Sequence, residues 1–357
     1  MTAMLLLLII LVFSLMIASA TAINGNQTKP GCELYCGNIT VPYPFGMGKE
    51  CSIDEWANIN CSTAFSPPKP FIGNIEVIEF SQNEVRLKNL VATSCYNASG
   101  FLNGFTSSFY LSGTPYRFSS TKNKFTVLGC NITGLAISVR QTVNYSTTSV
   151  RQTVNYSSGC GTSCYGRENI IQGSCSVGSG CCQSSIPEGF NEIYIELLDT
   201  SVENHTNSLS CGAAFIAEED KYKFKASDLN FRNFPSLTEV PMVLNFAVGN
   251  QKCEEAKQNA TTYACKENSY CYDLVDDGTG YLCNCSDGYK GNPYLNQGCQ
   301  DVDECENPSN NDCEKICTNT QGSYYCSCPD GLYGDGKKDG KGCTKKNKEF
   351  PILQLTL

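Results

Sequence analysis

The 357-residue chain carries 24 cysteines, 26 basic and 35 acidic side chains, and a formal net charge of −9. That length suggests about two to four domains, and dense cysteine belongs either to an exported, oxidised protein or to a metal-rich cytosolic one. A single histidine, His205, leaves no material for a histidine-based triad or metal cluster. The acidic balance gives no general reason to bind a polyanion, and no nucleic-acid partner is expected.

The N-terminus decides the compartment. Leu5 to Ile17 is an apolar run of 13 residues, followed by Ala18-Ser19-Ala20 and Ala20-Thr21-Ala22, both small-residue cleavage patterns. Residues 1–22 therefore read as a signal peptide, although Met1 to Met4 lack the usual Lys or Arg. The run is short for a membrane span, which needs about 20 residues. The apolar end Phe350 to Leu357 is shorter still, so no membrane span is expected in the chain. Export agrees with ten Asn-x-Ser/Thr glycan acceptors, at Asn26, Asn38, Asn60, Asn97, Asn131, Asn144, Asn155, Asn204, Asn259 and Asn284.

The exported chain starts with a polar stretch and then Cys32 to Gly46, where Pro42 and Pro44 predict extended, irregular backbone with Tyr43 and Phe45 on one side. Short β-branched or aromatic runs follow at Ile75 to Phe80, Lys124 to Leu128, Leu135 to Val143, Ile193 to Leu198 and Met242 to Val248, and each predicts a strand. Lys221 to Asp228 is the one helix candidate. Ser138 to Ser146 recurs from Ser149 to Ser157, a tandem duplication expected to lengthen a strand or hairpin loop. Cys32 to about Asn250 thus reads as a β-rich, disulfide-bonded region of one or two domains.

Within it, Val85 to Arg167 contains no Asp or Glu but holds Arg86, Lys88, Arg117, Lys122, Lys124, Arg140, Arg151 and Arg167. Guanidinium and ammonium groups in an acid-free band are candidates for binding a polyanion. Tyr96, Phe101, Tyr110 and Tyr116 lie in the same band and are candidates for stacking on rings of such a ligand. A basic face balanced by acids from elsewhere in the fold stands as the alternative.

From Cys253 the cysteine rhythm changes. Cys253, Cys265, Cys271, Cys283, Cys285 and Cys299 form one set of six, and Cys305, Cys313, Cys317, Cys326, Cys328 and Cys343 the next. Spacing alone permits 15 pairings in each set. Both sets resemble EGF-like modules, which implies Cys253–Cys271, Cys265–Cys283 and Cys285–Cys299, then Cys305–Cys317, Cys313–Cys326 and Cys328–Cys343. The second set opens Asp301-Val302-Asp303-Glu304-Cys305 and carries Asn319 and Tyr324, in the pattern of a calcium-binding module. That resemblance implies side-chain oxygens from Asp301, Glu304 and Asn319, and carbonyls from Val302, Thr320 and Ser323, around a Ca²⁺ ion. Asn250-Gln251-Lys252 before the first set lacks such acids, so calcium is not expected there.

Four stretches resemble the extracellular region of plant wall-associated receptor kinases: CGNITVPYPFG at Cys36 to Gly46, GSGCCQSSIP at Gly178 to Pro187, VPMVLNFAV at Val240 to Val248, and GYKGNPYLNQGCQDVDEC from Gly288 to Cys305. The resemblance implies a mainly β, disulfide-rich fold: signal peptide 1–22, a galacturonan-binding domain over 32–250, an EGF-like module at 251–299, a calcium-binding one at 301–343, and a truncated juxtamembrane tail at 344–357. It implies pectin or galacturonan and Ca²⁺ as partners, at the plant cell wall, or at the plasma membrane if a longer product has a span. Asn245-Phe246 stands where Asp-Trp is usual, and no kinase motif is present. An adhesion protein binding other extracellular proteins shares every EGF feature. An enzyme finds little support: Cys181-Cys182 suits structural disulfides, and nothing around Glu218-Glu219 favours a glycosidase pair.

Overall fold

The computed structural model describes residues 27–81, 83–96, 102–111, 113–142, 152–164, 170–175, 178–199, 211–229, 237–274 and 280–345. The signal segment, His205, Arg151, Arg167, Phe101 and the acceptors Asn26, Asn97, Asn144 and Asn204 lie outside them. The described residues fall in two compact units: Thr28–Tyr263 with Tyr272–Leu282, and Ala264–Cys271 with Cys283 onward. Part of the first six-cysteine set therefore groups with the N-terminal unit.

The N-terminal unit is built from three antiparallel sheets. A six-stranded sheet runs Tyr116–Phe118, Glu239–Phe246, Glu84–Leu90, Ile75–Phe80, Lys69–Ile72 and Asn60–Ser62 in spatial order. A five-stranded sheet orders Cys181–Ser185, Asn123–Leu128, Cys211–Glu218, Ala92–Tyr96 and Leu102–Phe105, and a four-stranded one Gln152–Gly161, Ile132–Thr142, Glu192–Asp199 and Ser108–Tyr110. The alternation that predicts strands also sets their faces, because successive side chains point to opposite sides. In Glu84–Leu90, Val85 and Leu87 turn inward and Arg86 and Lys88 outward. Val85, Leu87, Met242, Leu244, Phe125, Val127, Ile193 and Ile195 bring all three sheets to one core. Cys211–Glu218 is buried throughout, which its Gly212, Ala213, Ala214 and Ala217 permit.

The five expected strands all form. The helix expected over Lys221 to Asp228 does not: the segment has no regular structure before a short 3-10 turn at Ala226–Leu229. Tyr222 and Phe224 are buried while Lys221, Lys223 and Lys225 are exposed, a period-two pattern that suits extended chain and not a helix. The two rings pack with Phe215, Leu128 and Leu229 in a second cluster outside the five-stranded sheet. Pro42 to Phe45 forms neither strand nor helix. Phe45 lies within 4.8 Å of Phe80, 5.0 Å of Phe246 and 5.8 Å of Trp56, ring centroid to centroid. Phe246, also 5.9 Å from Trp56, thus fills an aromatic cluster at the position where the sequence departs from the usual tryptophan.

The duplicated segment forms the two arms of one hairpin. Ser138 stands opposite Tyr156 and Thr142 opposite Gln152, so each copy pairs with the other. Arg140 and Asn155 lie on these arms, and their side chains are outside the described set.

No cysteine is free among the described residues. The N-terminal unit is tied by Cys32–Cys51, Cys36–Cys61, Cys95–Cys211, Cys130–Cys164, Cys160–Cys182 and Cys175–Cys181. Adjacent Cys181 and Cys182 point to opposite faces, one into each hydrophobic cluster, which is how consecutive cysteines serve two different bridges. In the C-terminal part the bonds are Cys265–Cys283, Cys285–Cys299, Cys305–Cys317, Cys313–Cys326 and Cys328–Cys343. Cys253 and Cys271 are each disulfide-bonded as well. Few large side chains are buried there beyond Tyr294 and Leu295, so the bridges substitute for a core.

Candidate functional site

Asp301 ends the strand Cys299–Asp301, which pairs with Tyr289–Gly291 and places Asp301 opposite Tyr289. The next hairpin joins Ile316–Thr320 to Ser323–Ser327 through Gln321-Gly322, with Gly322 at φ +74°. This turn lies against the Asp301 carboxylate. Oδ1 accepts the Gly322 N–H at 2.5 Å, and Oδ2 accepts Asn319 Nδ2 at 2.7 Å.

The remaining acceptors are unusual. Asn319 Oδ1 and Glu304 Oε2 are buried side-chain oxygens without a hydrogen-bond partner. A buried acceptor left in that state costs about 1–3 kcal/mol, and a hard cation satisfies it directly. Both oxygens belong to the residues singled out from sequence. A donor set of two carboxylates, one amide oxygen and nearby carbonyls fits Ca²⁺. Asp301 has lone pairs beyond the two N–H groups it accepts. The Ser323 carbonyl accepts the Thr320 hydroxyl at 2.7 Å, Thr320 and Ser323 form the last pair of the hairpin ladder, and the Val302 N–H donates to the Gly288 carbonyl at 2.9 Å. Asp312, Cys313 and Cys326 also approach one another, but both sulfurs are in one disulfide and Asp312 accepts the Tyr324 hydroxyl at 2.9 Å.

The two cysteine sets meet at this same point. A Cβ on Gly288 would fall 2.1 Å from the Gly322 carbonyl oxygen, and one on Gly322 would fall 2.6 Å from the Tyr289 ring. Only glycine allows the hairpin turn to lie this close to Gly288 and Tyr289. Asp301 is thus at once a ladder residue of the preceding set, a holder of the turn and a candidate ligand.

The basic band lies differently from its appearance in sequence. Arg86 Nε and Nη2 hold Glu218 at 2.6 and 2.8 Å, and Nη1 also meets Glu79. The Glu218 carboxylate raises the guanidinium and is itself held below the usual carboxylate range by it. Lys88 lies between Glu76 at 3.1 Å and Glu239 at 3.2 Å, Lys122 meets Glu84, and Lys124 meets Glu219 at 3.7 Å. Arg117 Nη1 donates to the carbonyls of Thr114 and Tyr116, each at 2.8 Å. Glu218 and Glu219 serve different cations. Of the aromatics, Tyr110 is 73% exposed, whereas Tyr116 is buried and donates its hydroxyl to the Trp56 carbonyl at 3.0 Å. Burial removes Tyr116 from any stacking role. Acids from elsewhere in the fold, the alternative weighed from sequence, are what these cations meet; which acids they are could not be read from the sequence, since Glu239 arrives from 151 residues beyond Lys88.

The family model for the calcium-binding EGF domain matches residues 301–343. Wall-associated receptor kinase 2 of Arabidopsis thaliana is 34% identical over 91% of this chain and 42% of its own length. Wall-associated receptor kinase 1 of the same plant is 32% identical over 99% of the chain and 45% of its length, and wall-associated receptor kinase 3 is 31% identical over 84% and 40%. The chain therefore spans less than half the length of these curated relatives. No solved structure matches it. Over nearly its whole length the chain is homologous to the wall-associated receptor kinases, in their extracellular region.

Proposed function

We propose that this chain is an extracellular recognition segment. Its N-terminal unit binds acidic cell-wall polysaccharide of the galacturonan type, and its C-terminal module binds Ca²⁺ and serves as a stiff stalk. The observation that carries the calcium half is the pair of buried, unpartnered oxygens, Glu304 Oε2 and Asn319 Oδ1, beside the Asp301 carboxylate. Asp301, Glu304 and Asn319 would bind through side chains and Val302, Thr320 and Ser323 through carbonyls, at a Kd of about 10⁻⁴–10⁻³ M. The ion supplies a fixed positive centre. The chain's own residues align the Tyr289–Gly291 ladder with the Gly322 turn.

The polysaccharide half is supported by the relatives' name and by the cations Arg117, Lys122 and Lys124 of the N-terminal unit. Arg86 and Lys88 are each held by two carboxylates and contribute less than Lys122 and Lys124, which meet one each. Glycans are assigned to Asn38, Asn60, Asn131 and Asn259, which are exposed; at Asn259 the Thr261 hydroxyl already donates to the side-chain carbonyl at 2.6 Å. Domain limits of 32–250, 251–299 and 301–343 are part of the same reading. Reversing charge at Arg117, Lys122 and Lys124 together is expected to weaken pectate binding at least tenfold at low salt, measured by calorimetry. Unchanged binding by a folded triple variant contradicts the assignment.

One observation favours a second reading, adhesion to another protein: Ile316, Tyr325 and Tyr333 of the C-terminal module are 41%, 53% and 57% exposed. Soluble pectate competes with a cell-wall target under the first reading and has no effect under the second.

A further inference from the structure

The outer face of the five-stranded sheet changes character along its strands. Leu128, Cys181 and Phe215 lie under a cover formed by Ile170, Tyr222, Phe224 and Leu229. Further along, the same face turns polar: Thr126 stands opposite Gln183, and Lys124 opposite Ser185. The cover passes Gly173, whose N–H donates to the Phe224 carbonyl at 3.0 Å. Beyond it lies a cleft of about 420 Å³, lined among others by Lys124, Gly173, Cys175, Gln183, Ser185 and Glu219. That volume is in the range of small-ligand sites, but the lining is hydroxyl, amide and charge where such sites are usually apolar. A hydrated, hydroxyl-rich ligand matches it better than an apolar one.

Lys124 is the most loosely held of the paired cations in the band. Its Nζ is 3.7 Å from Glu219 and 3.3 Å from the Ser185 hydroxyl, against 2.6 Å for Arg86 to Glu218 and 3.1 Å for Lys88 to Glu76. Glu219 is half-exposed, and an exposed pair of this kind contributes little that an incoming carboxylate could not replace. Gln183 is anchored by its Nε2 donating to Thr126 Oγ1 at 3.1 Å, so its position in the cleft is fixed.

We infer that this cleft is a subsite for one uronate ring of an acidic polysaccharide, with Lys124 taking the ring carboxylate and Gln183, Ser185 and Glu219 taking hydroxyls. The inference rests on the polysaccharide reading above and adds where one ring sits and which group reads its charge.

Calorimetry with the intact chain tests it, using a defined oligogalacturonide, its methyl ester and a neutral galacto-oligosaccharide. Lys124→Gln removes the charge. Ser185→Tyr fills the cleft from an exposed position, and Lys257→Gln, remote in sequence and outside the band, is the control. Each cleft variant is expected to bind the acidic oligomer at least tenfold more weakly, with the control within about twofold of wild type. Methyl esterification is expected to weaken wild type but to leave Lys124→Gln unchanged. Wild-type affinity in both cleft variants overturns the inference while leaving the polysaccharide reading standing. Equal affinity of the wild type for the acidic and neutral oligomers overturns the role of Lys124. Failure of the wild type to bind any acidic oligomer removes the broader reading and the inference with it.

Discussion

Arg86 and Glu218 show how a single ion pair can be both structural and pH-dependent. The pair links Glu84–Leu90 of one sheet to the end of Cys211–Glu218 in another, with 19% and 9% side-chain exposure. Replacing Glu218 by Gln leaves the guanidinium without its bidentate partner and is expected to cost roughly 1–3 kcal/mol, read from chemical denaturation. The sign of the pH dependence follows from the direction of the shift. Arg86 holds the folded carboxyl below its ordinary value of 4.5, so the stabilisation is fully present above that value and is lost as pH falls through the lower, folded one. Melting curves between pH 7 and pH 3 are expected to show a shallower acid decline for Glu218→Gln than for wild type. Parallel declines would mean that the pair carries none of the acid sensitivity.

At the scale of the element, Cys95–Cys211 closes the longest disulfide loop among the described residues, with a sequence separation of 116, between residues directly opposite in a ladder. Chain entropy assigns such a closure about 4–5 kcal/mol, so replacing both cysteines by Ala is expected to lower stability by several kcal/mol or to prevent folding. Cys175–Cys181, with a separation of 6, is expected to matter less. The duplicated hairpin is the opposite case. Deleting residues 143–153 restores one copy of the repeat and keeps the ladder from Thr133–Gly161 to Ser138–Tyr156 available. The shortened protein is expected to melt within a few degrees of wild type; loss of cooperative unfolding would show that the hairpin tip is structural. The strands were legible because β-branched runs with period two carry their own evidence of face and type. Lys221 to Asp228 was not, because a helix-forming composition was overruled by two rings, Tyr222 and Phe224, that needed the same side of the chain.

At the scale of the molecule, the calcium-binding EGF module was the most legible part, since its cysteines and its proposed ligand residues lie close in sequence and follow a recognisable spacing. The basic band was legible as composition but not as a surface. A run of eight cations without an acid in 83 residues does not name Glu76, Glu79, Glu84, Glu218, Glu219 and Glu239, which the fold brings from outside the run to four of its cations, Arg86, Lys88, Lys122 and Lys124. The cleft at Lys124 required four segments of chain and left no mark in the sequence. What unites the units functionally is the proposed division of labour, in which the N-terminal unit meets the wall and the C-terminal module is ordered by calcium.

Hydrogen exchange of the intact chain with and without millimolar Ca²⁺ tests that division most directly. In wild type, calcium is expected to slow exchange at least tenfold over Gln300 to Glu304 and Asn319 to Tyr324, with the N-terminal sheets unaffected, and Asp301→Ala is expected to abolish the slowing. Identical exchange with and without calcium in wild type, or undiminished slowing in Asp301→Ala, would contradict it.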